Sequence, residues 1–146
     1  FTELVLDASA RLLAHSDLFR AGVATSGSYN KTLTPFGFQN ERRSVWSAQD
    51  TYLKVSPYFF ANKMRAPLLI MHGSDDANPG TTPLQSEMLY QAIRGNGGVT
   101  RLVMLPHEPH WYSAMESNEQ LAYEELRWFD KYVKNARPRE QVAGKQ

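Results

Sequence analysis

The feature that most constrains this chain is APLLIMHG, residues 66–73, a continuous apolar run entered by a proline and left by a glycine. A strand with one wet face alternates apolar and polar residues. This one does not, so it reads as a parallel strand covered on both faces. It runs directly into GSDDANPG, where Asp75 and Asp76 stand side by side with no lysine or arginine next to them. Two carboxylates at the mouth of a hydrophobic strand repel one another, so one of them is expected to have a specific task.

The segments around this run repeat the same logic. AGVATSGS (21–28) reads as a short strand of small residues entering a turn, and TRLVMLP (100–106) as a third strand. Residues 3–16 have helical spacing at Leu6, Ala10 and Leu13. A helix over 83–94 is opened by Pro83 and stopped by the GNGG cluster. A long helix is expected from Ser117 to Lys134, with Ala122, Leu126, Phe129 and Val133 on its buried face. Residues 29–66 read as loop and short helix, too aromatic for a solvated linker. Apolar strands alternating with helices imply the α/β class, a parallel sheet flanked by helices. The domain is expected over residues 1–136, with a flexible tail at 137–146. A start at Phe1 rather than methionine points to a processed or truncated product.

Composition removes several function classes. Among 146 residues the net charge is +1, with both signs interspersed, so no nucleic-acid or anionic-membrane partner is expected. The absence of cysteine excludes disulfides and zinc–thiolate sites. No apolar run approaches the roughly 18 residues of a membrane span. No cofactor motif is present.

In open parallel sheets, chemistry sits beyond the carboxyl ends of the strands. Three loops leave those ends: SGSYN, GSDDANPG and HEPHWY. The second carries the carboxylate pair and the third carries His107 and His110. An acid on one strand end and a histidine on the next is the base half of a nucleophile–His–Asp triad. Asp76 before His110 fits the Ser, Asp, His order of α/β-hydrolases. A metal site of His107, His110 and Asp76 is the alternative, weakly supported because metal pairs favour a firm helix or strand. His72 and His15 read as structural.

LLIMHGSDDANPGTTPLQSEMLYQAI, RLVMLPHEPHWYSAMES and LLAHSDLFRAGVATSGSYNKTLTPFGFQNE together resemble the C-terminal catalytic domain of prolyl oligopeptidase family serine peptidases, closest to the glutamyl-endopeptidase-like branch. The resemblance runs from about Leu12 to Val133. It implies the C-terminal part of an α/β-hydrolase sheet, with Asp76 as triad acid and His110, in a Glu-x-His-like segment, as base. It also implies a peptide substrate for the parent enzyme, with Tyr29 and Asn30 as neighbours of the substrate pocket.

Two positions depart from the family pattern. Trp111 stands where the family has glycine, and a bulky indole there is expected to crowd the base. At the elbow, where the family carries Gly-x-Ser-x-Gly, this chain has Phe1-Thr2-Glu3-Leu4-Val5. Glu3 takes the serine position and neither glycine is present. The expectation is a serine peptidase by descent with its nucleophile missing. The other reading is a non-catalytic assembly module on the same fold. Loss of the elbow strand would leave a bare sheet edge, and a bare apolar edge favours pairing into a homo-oligomer.

Overall fold

The computed structural model describes residues 9–136. The elbow positions, the expected helix start at residue 3 and the expected tail at 137–146 lie outside the described residues. The elements run α1 (Ser9–His15), β1 (Gly22–Thr25), α2 (Gln49–Lys54), β2 (Leu68–Gly73), α3 (Pro83–Gly95), β3 (Thr100–Leu105) and α4 (Met115–Phe129). Segments of tighter helix cover Lys31–Leu33 and Pro57–Lys63, and a wider turn, Asp130–Lys134, extends α4.

The three strands form one parallel sheet in the order β1-β2-β3. Central β2 is buried at every residue, as its unbroken apolar run requires. Its side chains alternate between two cores. Leu68 and Ile70 join Ala10, Leu13, Leu89 and Ile93 from α1 and α3, while Leu69 and Met71 join Val23 and Trp128 on the other face. Burial of that apolar surface, at about 25 cal/mol per Å², is what holds the helices to the sheet.

The face of α4 differs from expectation. Phe129 and Val133 do pack on the sheet side, but Leu126 is 69% exposed and Ala122 is exposed too. Trp128 and Glu124 are the buried positions instead. The large indole sets which way the helix faces. The buried Glu124 charge is met by Arg101 of β3 through two hydrogen bonds, Nε to Oε2 at 2.9 Å and Nη2 to Oε1 at 2.6 Å. Such a bidentate pair fixes orientation as well as charge. No helix among the described residues is long and apolar enough to cross a membrane.

Candidate active site

The two chemistry-bearing loops meet above the carboxyl ends of β2 and β3. Gly73 closes β2, and a Cβ added there would overlap the backbone carbonyl oxygens of Glu108 and Pro109. Only a residue without a side chain lets the β3 loop cross the strand end so closely. The loops are also stitched by hydrogen bonds. Asp75 N–H donates to the Glu108 carbonyl at 3.0 Å, and His107 N–H donates to Ser74 Oγ at 2.8 Å. His107 itself takes the left-handed backbone conformation, φ 60°, that turns the loop back.

Glu108 anchors the far side of the same loop. Its buried carboxylate accepts from the N–H groups of Ser113 (2.8 Å) and Ala114 (3.0 Å), just ahead of α4. Hydrogen bonds from Ser117 and these backbone groups hold its pKa below the usual carboxylate range. Tyr112 Oη donates to the Met71 carbonyl at 3.2 Å and shares a 2.9 Å hydrogen bond with Ser26 Oγ at the end of β1. The base loop is thereby fastened to all three strand ends.

Between these fixings His110 Nδ1 lies 2.9 Å from Asp76 Oδ2. A carboxylate only accepts, so the ring proton sits on Nδ1 and Nε2 keeps a lone pair. The ring is partly open, with its side chain 26% exposed, and Nε2 makes no hydrogen bond among the described residues. That is the protonation pattern a general base requires. Trp111 does not crowd it. The indole is 81% exposed and meets the imidazole edge-on, with ring centroids 5.1 Å apart.

Asp76 is buried and saturated. Its Oδ1 accepts from the Asn78 N–H at 2.9 Å, and its Oδ2 accepts from His110, from Thr81 Oγ1 at 3.1 Å and from His72 Nε2 at 2.9 Å. Thr81 Oγ1 also lies 3.1 Å from His110 Nδ1, so one hydroxyl bridges acid and base. Burial pushes the Asp76 carboxyl up, but hydrogen bonds from His110, Asn78, His72 and Thr81 together outweigh it and hold the group below its usual range. Asp75, by contrast, points outward. It takes only the Ser74 hydroxyl at 2.8 Å and lies 3.8 Å from the exposed His107 ring.

His72, read as structural from the sequence, contacts Asp76 directly, a contact that sequence reasoning did not anticipate. It is fully buried in β2, and burial pushes its imidazole below the ordinary histidine value despite the Asp76 carboxylate. His107 does not join the other histidines at Asp76, and no group of three potential ligands suited to a metal ion occurs among the described residues. Tyr29 and Asn30, expected beside a substrate pocket, are both buried. Their backbone N–H groups donate to Gln85 Oε1 at 3.0 and 2.7 Å, and Gln85 Nε2 donates to the Gly80 carbonyl at 3.3 Å in the acid loop. The loop after β1 therefore backs the Asp76 loop through one α3 side chain.

These shifts make the fold acid-sensitive in two steps. His72 resists protonation only when folded, so stability should fall as pH drops below about 6.5, where the unfolded chain takes up that proton. Asp76, with its folded pKa depressed, adds stability above about 4 that is lost as pH falls through its folded value. Urea midpoints measured from pH 8 to pH 3 should decline across both windows, and His72→Gln should flatten the upper one.

Known proteins resemble this chain in sequence and in fold. The sequence profile of the prolyl oligopeptidase family matches residues 8–136. The chain is 51% identical over 125 residues to the probable chloroplastic glutamyl endopeptidase of Arabidopsis thaliana and 50% identical over 125 residues to that of Oryza sativa subsp. japonica. Each match covers 85% of this chain, and the chain spans 13% of the length of those curated relatives. Among solved structures, the acylaminoacyl peptidase of Pyrococcus horikoshii superposes with a TM-score of 0.72 at 25% identity, over 90% of this chain and 23% of that one.

Proposed function

Since the chain belongs to the prolyl oligopeptidase family, we propose that Asp76 and His110 are the acid and base of its serine-peptidase relay, and that the chain as it stands lacks their nucleophile. Serine peptidase chemistry is its inheritance through family and relatives. The observation that carries the reading is the 2.9 Å contact between His110 Nδ1 and Asp76 Oδ2. Asp76 holds the imidazole with its proton on Nδ1 and stabilises the imidazolium once Nε2 has taken a proton from a nucleophile. Tyr29 and Asn30 serve this site as the buried backing of the substrate pocket. The two plant relatives carry the name probable glutamyl endopeptidase, which supports a glutamyl peptide as substrate of the parent enzyme.

The chain carries Glu3 where the family serine stands, with Phe1 and Val5 in place of the elbow glycines. Those glycines permit the strained strand-to-helix turn that exposes the serine. Loss of a triad nucleophile costs on the order of a million-fold in turnover. Purified chain should therefore hydrolyse neither peptide nor ester substrates above background, and a fluorophosphonate probe should label none of its serines. Stoichiometric labelling at any serine would overturn the missing nucleophile.

The same substitution favours a second reading, an assembly module that keeps the fold without the chemistry. In it the outer edge of β1, which has no strand partner among the described residues, pairs with a second copy of the chain. Light scattering on the same sample separates the two readings: a dimer supports assembly through this edge, and a monomer at all concentrations removes it.

A further inference from the structure

His72 shares the carboxylate oxygen that faces His110, and nothing in a plain triad calls for a second imidazole there. We propose that His72 is a positioning residue for the acid–base pair: its buried ring, tied to α3 through Ser86, donates to Asp76 Oδ2 and aims that oxygen at His110. This rests on the assignment of Asp76 and His110 as acid and base.

The hydrogen bonds leave one consistent arrangement of protons. Asp76 Oδ2 only accepts, so His72 Nε2, 2.9 Å away, must carry the proton. His72 Nδ1 is then bare and must accept. Ser86 Oγ of α3, 2.6 Å away and fully buried, is the donor that meets it. The opposite tautomer would set a lone pair against the carboxylate, and Ser86, whose hydroxyl can donate or accept, adapts to the ring. The chain of donors runs Ser86 to His72 to Asp76, with His110 donating from the other side.

The neutrality of His72 is what makes it useful rather than competitive. A lysine or arginine at this place would also hold the carboxylate, but it would bring a fixed positive charge close to His110 and oppose the imidazolium that catalysis needs. A neutral N–H orients the oxygen without that opposition. Burial keeps the imidazole in this form, and Ser86 ties it to α3, which packs across β2 and β3. Asp76 is thus positioned from the rigid strand-and-helix side by His72 and from the loop side by Asn78 and Thr81. Second contacts of this kind hold reacting groups to the tolerance that chemistry demands.

The test is imidazole NMR on the full chain, labelled with nitrogen-15. In wild type, His72 should be a single neutral tautomer with its proton on Nε2, and His110 should show a downfield, slowly exchanging Nδ1 proton. Three variants then probe the link. His72→Leu keeps the bulk and removes the donor. His72→Gln can return an N–H to the Nε2 position. Ser86→Ala removes the contact that ties the ring to α3. One charge-assisted hydrogen bond is worth roughly a tenfold change in a local equilibrium, so exchange of the His110 Nδ1 proton should quicken by about that factor in His72→Leu. It should recover in His72→Gln, and Ser86→Ala, which loosens the ring, should quicken it by a smaller factor.

An unchanged His110 proton in a folded His72→Leu would reduce His72 to core filling and overturn the proposal. If His72→Leu does not fold, Ser86→Ala decides, and an unchanged exchange rate of the His110 Nδ1 proton there overturns it equally. A wild-type chain with no hydrogen-bonded His110 proton would instead sink the acid–base assignment, a distinct failure.

Discussion

Gly73→Ala should be among the most damaging single-methyl changes this chain can suffer. The added Cβ meets the carbonyl oxygens of Glu108 and Pro109, which are backbone atoms and cannot rotate aside. Strand β2 cannot yield either, because it is paired to a neighbour on each side and buried on both faces. The base loop must lift, breaking the Asp75 N–H to Glu108 carbonyl bond and drawing His110 away from Asp76. Overpacking of this kind typically costs about 1–3 kcal/mol, and the lost loop contacts put the expected value near the top of that range. For a chain of this size that is on the order of 10 °C in Tm. Gly95→Ala is the matched control. It lies at the end of α3 with nothing within 4 Å of an added Cβ, so it should leave stability unchanged or raise it by about 0.5 kcal/mol. Thermal melts of the two variants side by side give the comparison, and equal melting points would show that the loop crossing at Gly73 is soft.

Which parts of this arrangement were legible beforehand depended on whether the deciding interaction is local. The three strands were readable because each is an apolar run bounded by residues that end strands, and their parallel pairing followed from the helices between them. The meeting of Asp76 and His110 was readable because strand ends and chain order constrain which loops face one another. The face of α4 was not. Ala122, Leu126, Phe129 and Val133 make as good a helical stripe as the observed one, and the choice turns on Trp128 packing against the sheet and Arg101 meeting Glu124 from a distant strand. His72 was hidden for the same reason. A histidine inside an apolar strand reads as packing until Ser86 and Asp76 are both placed against it. Gly73 could be seen to end a strand, but its close approach to Glu108 exists only once the β3 loop has folded over it.

The aspartate pair at the mouth of β2 divides its labour, and substitution should show how unequally. Asp76→Ala removes the cost of keeping a buried charge, which favours the variant. It also strands the His72 Nε2–H inside the core and frees the Asn78 N–H, and each stranded donor costs roughly 1–3 kcal/mol. Because hydrogen bonds hold the carboxyl below its usual range despite burial, the stranded donors should win, for a net loss of about 3 kcal/mol at pH 7. Asp76→Asn keeps the shape and one acceptor. Turned to serve the histidines, its amide nitrogen faces the Asn78 N–H; turned the other way, it opposes His72. The first orientation leaves a single clash of donors, so the expected loss is about half that of alanine. Asp75→Asn, whose side chain is exposed and takes only a neighbouring hydroxyl, should stay within about 0.5 kcal/mol of wild type. The sign with pH gives the sharper discrimination. A protonated Asp76 resembles asparagine, so the gap between wild type and Asp76→Asn should be full above about pH 4 and should close as pH falls through the depressed folded value. Urea unfolding of the three variants at pH 7 and pH 3 measures both differences. A gap that persists undiminished at pH 3 would mean that geometry alone, and not the ionised carboxylate, holds His72 and His110 together.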